Sequence, residues 1–246
     1  MLMGKSKSLV KNSWNDHDVE RHWDSVAHIY ISENDKIKDA HDQRFTFSIP
    51  YLKLKKGMSL LNITSRDGEA AEYLQKAEPD LNIINAEISQ GLINVASAMR
   101  PNLKHVKLST YSKLPFPDQS FDRILSLETL EHAADPVAFL SELNRISRPG
   151  ATMVLSCPPA TSEWPYRIYT ALFGGHGEGP HRFPSSRQVK QWLSATGWKL
   201  THHEGTVLIP VGPSFMKQAG EKLMSTMQGT FISELGIRQF YVCYKH

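Results

Sequence analysis

Cysteine is nearly missing from this chain of 246 residues: only Cys157 and Cys243 occur. There is no CxxC pair, which excludes a zinc ribbon, and two cysteines cannot build a disulfide-stapled scaffold. Long apolar runs are also lacking. Nowhere do about 18 apolar residues follow one another, so no transmembrane helix and no membrane insertion is expected. The first ten residues carry Lys5 and Lys7 but no apolar run of a secretory signal, and the expected compartment is the cytoplasm. Nor is there a large excess of one charge. Lys and Arg total 28 against 25 Asp and Glu, a net +3. The one tight basic cluster is Lys53, Lys55 and Lys56, so nucleic acid is not an expected partner. Internal repeats and low-complexity segments are absent too. What the chain does have is a hydrophobic fraction of 40%, sufficient for the core of one large domain.

The texture changes near residue 50. The first 50 residues are polar but rich in rings, with Trp14, His17, His22, Trp23, His28, Tyr30 and His41. Helices are expected over 19–30 and 34–47, with Pro50 closing an N-terminal helical arm over 1–50. Beyond it, short apolar runs at 58–63, 81–86, 104–108, 121–127, 151–156, 199–209 and 237–244 read as strands. Helical segments at 69–77, 90–99, 136–146 and 185–196 alternate with them. That alternation implies βαβ units and a mostly parallel α/β sheet over 51–246. Residues 158–184 break the rhythm with five prolines, four glycines and Trp164, Tyr166, Tyr169 and Phe173. A long insertion after a parallel strand sits over the carboxyl ends of the sheet, where ligands bind. A helix is expected within it at 164–173, and a further helical stretch within 213–235.

Three segments carry a family resemblance. The first is Leu114-Pro-Phe-Pro-Asp-Gln-Ser-Phe-Asp-Arg-Ile-Leu-Ser-Leu-Glu-Thr-Leu-Glu-His132. The second is Leu143-Asn-Arg-Ile-Ser-Arg-Pro-Gly150. The third is Pro180-His-Arg-Phe-Pro-Ser185, followed by a helix ending in Ala195-Thr-Gly-Trp198. Together they resemble the class I S-adenosylmethionine-dependent methyltransferases, in particular the small-molecule group. The resemblance implies a Rossmann-like sheet of seven strands. The last strand is antiparallel and inserted between the fifth and sixth, and helices cover both faces. It implies S-adenosylmethionine as cofactor, a small-molecule acceptor, and a cleft capped by the arm and the 158–184 insertion. A protein partner or a homodimer is left open. Cys157 and Cys243 would lie on neighbouring antiparallel strands at opposite edges, so no disulfide is expected.

The family's residue roles carry over position by position. The cofactor loop after the first strand runs acid-x-Gly-x-Gly-x-Gly; here it is Asn62, Ile63, Thr64, Ser65, Arg66, Asp67 and Gly68. Asn62, Thr64, Ser65 and Gly68 are thereby expected at the methionine moiety, although only the last glycine is kept and Arg66 brings bulk and charge. Glu87 is expected to accept hydrogen bonds from the ribose hydroxyls, as a carboxylate can. Ile88 would pack on the adenine, Thr110 and Tyr111 would meet its edge, and Leu127 and Glu128 would line the sulfonium side. Histidine is the residue type suited to accept a proton near neutrality. His132, at the rim of the expected cleft, and His181, in the insertion with His176, are the catalytic candidates. His202 and His203 are adjacent on a strand and point to opposite faces, so no metal site is expected there. The altered loop also motivates a second reading, a methyltransferase-like binding or partner subunit without catalysis.

Overall fold

A computed structural model describes residues 14–35, 38–173, 179–209 and 213–246. Several helices start where short polar side chains can satisfy free N–H groups. Asn15 and Asp18 form a reciprocal capping box at the start of α1 (Asp16–Val26). Helices α2 (Tyr30–Asp35) and α3 (Lys38–Leu52) complete the arm. Gly68 precedes α4 (Glu69–Ala77), and the Ser89 hydroxyl accepts from the Leu92 N–H at the start of α5 (Gln90–Met99). Asp135 caps α6 (Pro136–Ile146), whose first residue is the proline that needs no N–H partner. Ser185 and Gln188 form a second capping box on α8 (Ser186–Ala195). Between these two helices α7 (Glu163–Phe173) follows a 3-10 turn at Ala160–Ser162. The last helix is α9 (Ser214–Thr226), followed by a 3-10 turn at Phe231–Leu235.

The strands are β1 (Ser59–Ile63), β2 (Asn82–Glu87), β3 (His105–Lys107), β4 (Phe121–Leu127), β5 (Ser147–Cys157), β6 (Trp198–Thr206) and β7 (Arg238–Lys245). They form one sheet in the order β3-β2-β1-β4-β5-β7-β6. The pairings from β3 through β5 are parallel, and β7 runs antiparallel to both β5 and β6. This is the seven-stranded, Rossmann-like arrangement expected from the sequence.

Side chains alternate between two cores, as the period of two demands. Leu61, Ile63, Ile124, Met153, Leu155 and Tyr241 face one core, shared with α1, α5, α6 and α8. Leu60, Leu125, Val154, Phe240 and Val242 face the other, against α3 and α4. Burying each such side chain stabilises the fold by roughly 1.5–3 kcal/mol.

Several expected boundaries move: the arm forms three helices rather than two, and β5 begins at Ser147 rather than 151, through the expected turn at 148–150. The arm's first helix starts at Asp16 rather than 19 because the Asn15 cap lies outside the apolar pattern. Pro50 does not end α3, which continues to Leu52. The ring lies on the exposed side of the last turn, where the carbonyl it leaves free can be solvated, while Phe45, Ile49 and Leu52 are buried beneath. The strand β6 stops at Thr206 rather than 209, because Val207 turns the chain at φ 58°. Cys157 pairs with Gln239 and Cys243 with Met153, four positions apart along β5, and both cysteines are free and buried. His202 stacks on Tyr51 and His203 on Tyr241, on opposite faces.

Candidate functional site

The parallel strands deliver their following loops to one edge of the sheet. At that edge lie the loop after β1, the turn after β2, the loop after β3 and the residue after β4. Every cofactor candidate from Asn62 to Glu128 is therefore gathered there.

The loop after β1 has three residues in the left-handed region, only one of them glycine. Thr64, Arg66 and Gly68 have φ values of 58°, 54° and 82°. A left-handed conformation costs a non-glycine residue roughly 1–2 kcal/mol, and a β-branched residue such as Thr64 is a true outlier there. The loop is held against that cost. Ser65 N–H donates to the Ala86 carbonyl at 3.0 Å, and Gly68 N–H to the Ser65 carbonyl at 2.8 Å. Arg66 N–H donates to Glu87 Oε2 at 2.9 Å. Backbone strain that survives because its surroundings over-determine it is concentrated at ligand sites. Glycine suits position 68 by its positive φ, and a Cβ there would press on Leu103 Cδ1 at 3.0 Å.

Glu87 is fully buried at the end of β2. Its Oε1 accepts from the N–H groups of Ile88, at 2.8 Å, and Ser89, at 2.9 Å. With Arg66 on Oε2, three of the roughly four acceptor positions of a carboxylate are in use, and the free one is on Oε2. Asn62 donates from Nδ2 to Asn85 Oδ1 at 2.8 Å, an amide pair where the family keeps an acid. Thr64 Oγ1 lies 3.5 Å from the Tyr111 hydroxyl. Burial pushes that phenol above its usual range, with the Glu87 carboxylate adding to the effect. Ile88 and Leu127 are buried in the two cores on either side of the sheet. Glu128, at φ 52°, accepts from the Ser156 hydroxyl at 2.6 Å and from Arg238 Nε at 3.1 Å.

A cover lies over this edge. Asp16, at the start of α1, accepts from Tyr111 N–H at 2.7 Å, from the Thr110 hydroxyl at 2.5 Å and from Ala134 N–H at 3.2 Å. Asp24 Oδ1 accepts from the Ser89 hydroxyl at 2.7 Å and from Gly91 N–H at 2.9 Å. Glycine at 91 permits this approach, because a Cβ would stand 2.9 Å from that of Ala27. Lys107 reaches Glu20 at 2.6 Å. Trp23 is buried, and the Arg66 guanidinium lies over its ring at 3.6 Å. Arg66 Nη1 is buried without a hydrogen-bond partner. The guanidinium thus sits under the cover, against Trp23. Sequence reasoning missed Asp16, Asp24 and the Trp23–Arg66 pair. The run Asn15-Asp-His-Asp18 signals a helix start, but nothing in it says what Asp16 will bind.

The two catalytic candidates meet at the rim. His132 is buried, with Nδ1 2.9 Å from the Pro180 carbonyl. A carbonyl only accepts, so Nδ1 carries the proton and the neutral ring presents Nε2 as acceptor. Burial, with the Arg66 charge as second cause, holds its pKa well below the ordinary histidine value. Its ring lies 5.6 Å from Trp23 and 6.2 Å from His181. His181 is half-buried against Tyr166 and Phe183, with Nδ1 2.7 Å from the Gly179 carbonyl. His176 lies outside the described residues. Among the described residues, His41, Asp42 and Glu69 converge closely enough to suggest a cation site. The Lys38 ammonium already lies 2.9 Å from Asp42 and 3.5 Å from Glu69 and supplies that charge.

Comparison with known proteins agrees with this fold. Residues 61–155 match the methyltransferase domain family. A demethylmenaquinone methyltransferase of Beutenbergia cavernae is 28% identical over 159 residues, which span 64% of this chain and 64% of that protein. The complex between the Haloferax volcanii Trm112 methyltransferase activator and a methyltransferase superposes with a TM-score of 0.70 at 17% identity, covering 93% of this chain and 98% of that one. The [4+2]-cyclase SpnF superposes at 0.67 and 15% identity, over 94% and 96% of the two chains. Residues 61–155 thus form a methyltransferase domain, and the chain as a whole is similar in fold to the S-adenosylmethionine-dependent methyltransferases.

Proposed function

We propose that the chain transfers a methyl group from S-adenosylmethionine to a small apolar acceptor that carries a ring. The observation that supports it most is the loop after β1. All three positions where the family has glycine keep a positive φ, two of them with side chains that pay for it. The backbone therefore fits the cofactor, while one side chain, Arg66, must give way or lie alongside it. The loop 64–68 and the free acceptor position of Glu87 would hold it, with Tyr111 N–H available once Asp16 withdraws. When bound, the cofactor supplies a methyl group already activated on a sulfonium, so alignment with the acceptor nucleophile supplies much of the rate.

The chain's own residues supply the rest. Helix α1 excludes water from the cleft. The Glu128–Arg238 pair fixes the end of β4. His132 Nε2 and His181 stand where a proton leaving the acceptor would be taken. The acceptor class rests on the similarity to demethylmenaquinone methyltransferases and on the rings of Tyr166, His181 and Phe183 at the rim. The test is transfer of labelled methyl from S-adenosylmethionine to a panel of ring acceptors, with Glu87→Ala as control. The buried Arg66–Trp23 contact favours the competing reading, a binding subunit without catalysis. A single labelled turnover would exclude that reading.

A further inference from the structure

Both β5 and β6 end at the edge where the cofactor candidates lie, and β7 begins there. The chain leaves the sheet at this edge to make α7 and α9 and returns through the 3-10 turn Phe231–Leu235. These pieces are tied together: the Thr161 hydroxyl donates to the Glu234 carbonyl at 2.5 Å, and α9 packs beside the same turn. All three present large apolar side chains to solvent. Trp164 on α7 is 69% exposed, Phe215 on α9 is 68% and Phe231 on the turn is 72%. Ile168 on α7, Leu223 on α9 and Leu235 on the turn are exposed as well. Single exposed apolar residues need no explanation, but six on adjoining elements mark an interaction face.

Beside this face, exposed basic side chains without an ion partner among the described residues outnumber the acids. A groove lined by Ser186, Arg187, Lys190 and Glu234 runs from α8 to the Phe231–Leu235 turn. Among the described acids of the region one is ion-paired, and two keep their charge while accepting from neutral donors. Glu163 pairs with Arg167, Glu221 accepts from Val207 N–H, and Glu234 accepts from the Ser186 hydroxyl. Arg187, Lys190 and Lys222 have no ion pair among the described residues. Apolar rings flanked by free cations match the boundary between acyl chains and anionic headgroups, where aromatic residues settle and each basic residue adds attraction.

We propose that this face docks the protein on the surface of a membrane containing anionic lipid. Among the described residues no helix is long and apolar enough to cross a bilayer, so the contact is a surface one. Because the face borders the cleft, an apolar acceptor dissolved in the bilayer would enter directly; that consequence rests on the methyl-transfer reading, whereas docking itself does not.

The test is co-sedimentation of the full chain with vesicles of phosphatidylcholine alone and of phosphatidylcholine with 30% phosphatidylglycerol, in low and high salt. Binding is expected to the anionic vesicles and to weaken with salt. The double variant Trp164→Ser/Phe231→Ser should bind at least tenfold more weakly. Arg187→Glu/Lys190→Glu should remove most of the salt dependence. Brominated lipid should quench tryptophan emission in the wild type, and less in Trp164→Phe, which preserves the apolar ring. The substituted side chains are exposed, so far-UV circular dichroism should not change. No binding at millimolar lipid, or a stable dimer whose interface is this face, would overturn the proposal. Vesicle binding without any affinity for S-adenosylmethionine or S-adenosylhomocysteine would leave docking intact and remove the methyl-transfer reading.

Discussion

Replacing Trp23 by alanine should open the cover while leaving the sheet intact. Trp23 is 3% exposed and packs against Arg66, His132, Tyr30 and His22. Truncating a buried tryptophan costs about 3–5 kcal/mol, and losing the stacked guanidinium adds about 1 kcal/mol. The polar anchors of α1 at Asp16, Glu20 and Asp24 remain. If α1 opens as a unit, the cost falls on that opening. Every 1.4 kcal/mol is tenfold, so 3 kcal/mol raises the open population about a hundredfold. Hydrogen exchange read by mass spectrometry would show it as faster exchange over residues 14–35. Protection of β4 and β5 should be retained, since local openings lie below the global unfolding free energy. The association rate of S-adenosylhomocysteine, measured by stopped-flow fluorescence, should rise by tenfold or more. Equal loss of protection across α1, β4 and β5 would refute the reasoning, because α1 would then be part of the sheet's cooperative core. An unchanged association rate with a demonstrably open arm would refute the gating.

Further outcomes follow from the loop and the buried imidazoles. Glu87→Ala strands three backbone N–H groups and should cost about 3 kcal/mol or more in urea denaturation, with cofactor affinity falling at least a hundredfold. Glu87→Gln keeps an acceptor and should lie between. Thr64→Gly relieves the left-handed backbone and should leave stability unchanged or raise it by about 1 kcal/mol. A marked loss would contradict the strain inferred at φ 58°. Arg66→Gly removes the side chain from under the cover and should tighten cofactor binding in the same titration.

Acid should destabilise the fold through its buried histidines. Burial lowers His41 to about 3 and His203 to about 4, and His132 is held well below its usual value. Each is neutral in the folded chain and protonated in the unfolded chain below the ordinary value of 6.5. Their contribution is therefore complete above about pH 6.5 and is lost as pH falls toward 4. The slope is about 1.4 kcal/mol per pH unit for each group that titrates fully. Denaturation curves between pH 7 and 4.5 should show it, and His132→Asn should reduce the slope.

The elements were legible where local chemistry and pattern agree. The expected bounds of α5 and α6 match those observed because Ser89 and Asp135 cap apolar-periodic runs, and those of β4 match because Phe121 to Leu127 is a short, largely apolar run. The position of the loop after β1 was legible from the strand before it. Its geometry was not, because Thr64 and Arg66 give no sign that they will take the conformation of glycine. Nor was the cover. Asp16 meets Tyr111 across 95 positions of chain, and such contacts are set by packing rather than by periodicity. Fold does not fix reaction either: a [4+2]-cyclase superposes on this chain almost as well as a methyltransferase does. The choice between them rests on the site.

Calorimetric titration of the full chain with S-adenosylmethionine, and separately with S-adenosylhomocysteine, addresses that choice most directly. One-to-one binding of both in the micromolar range, abolished by Glu87→Ala, is the expected result. Absence of heat with either ligand at millimolar concentration, in the wild type and in Arg66→Gly alike, would contradict a cofactor site at the carboxyl ends of β1 and β2.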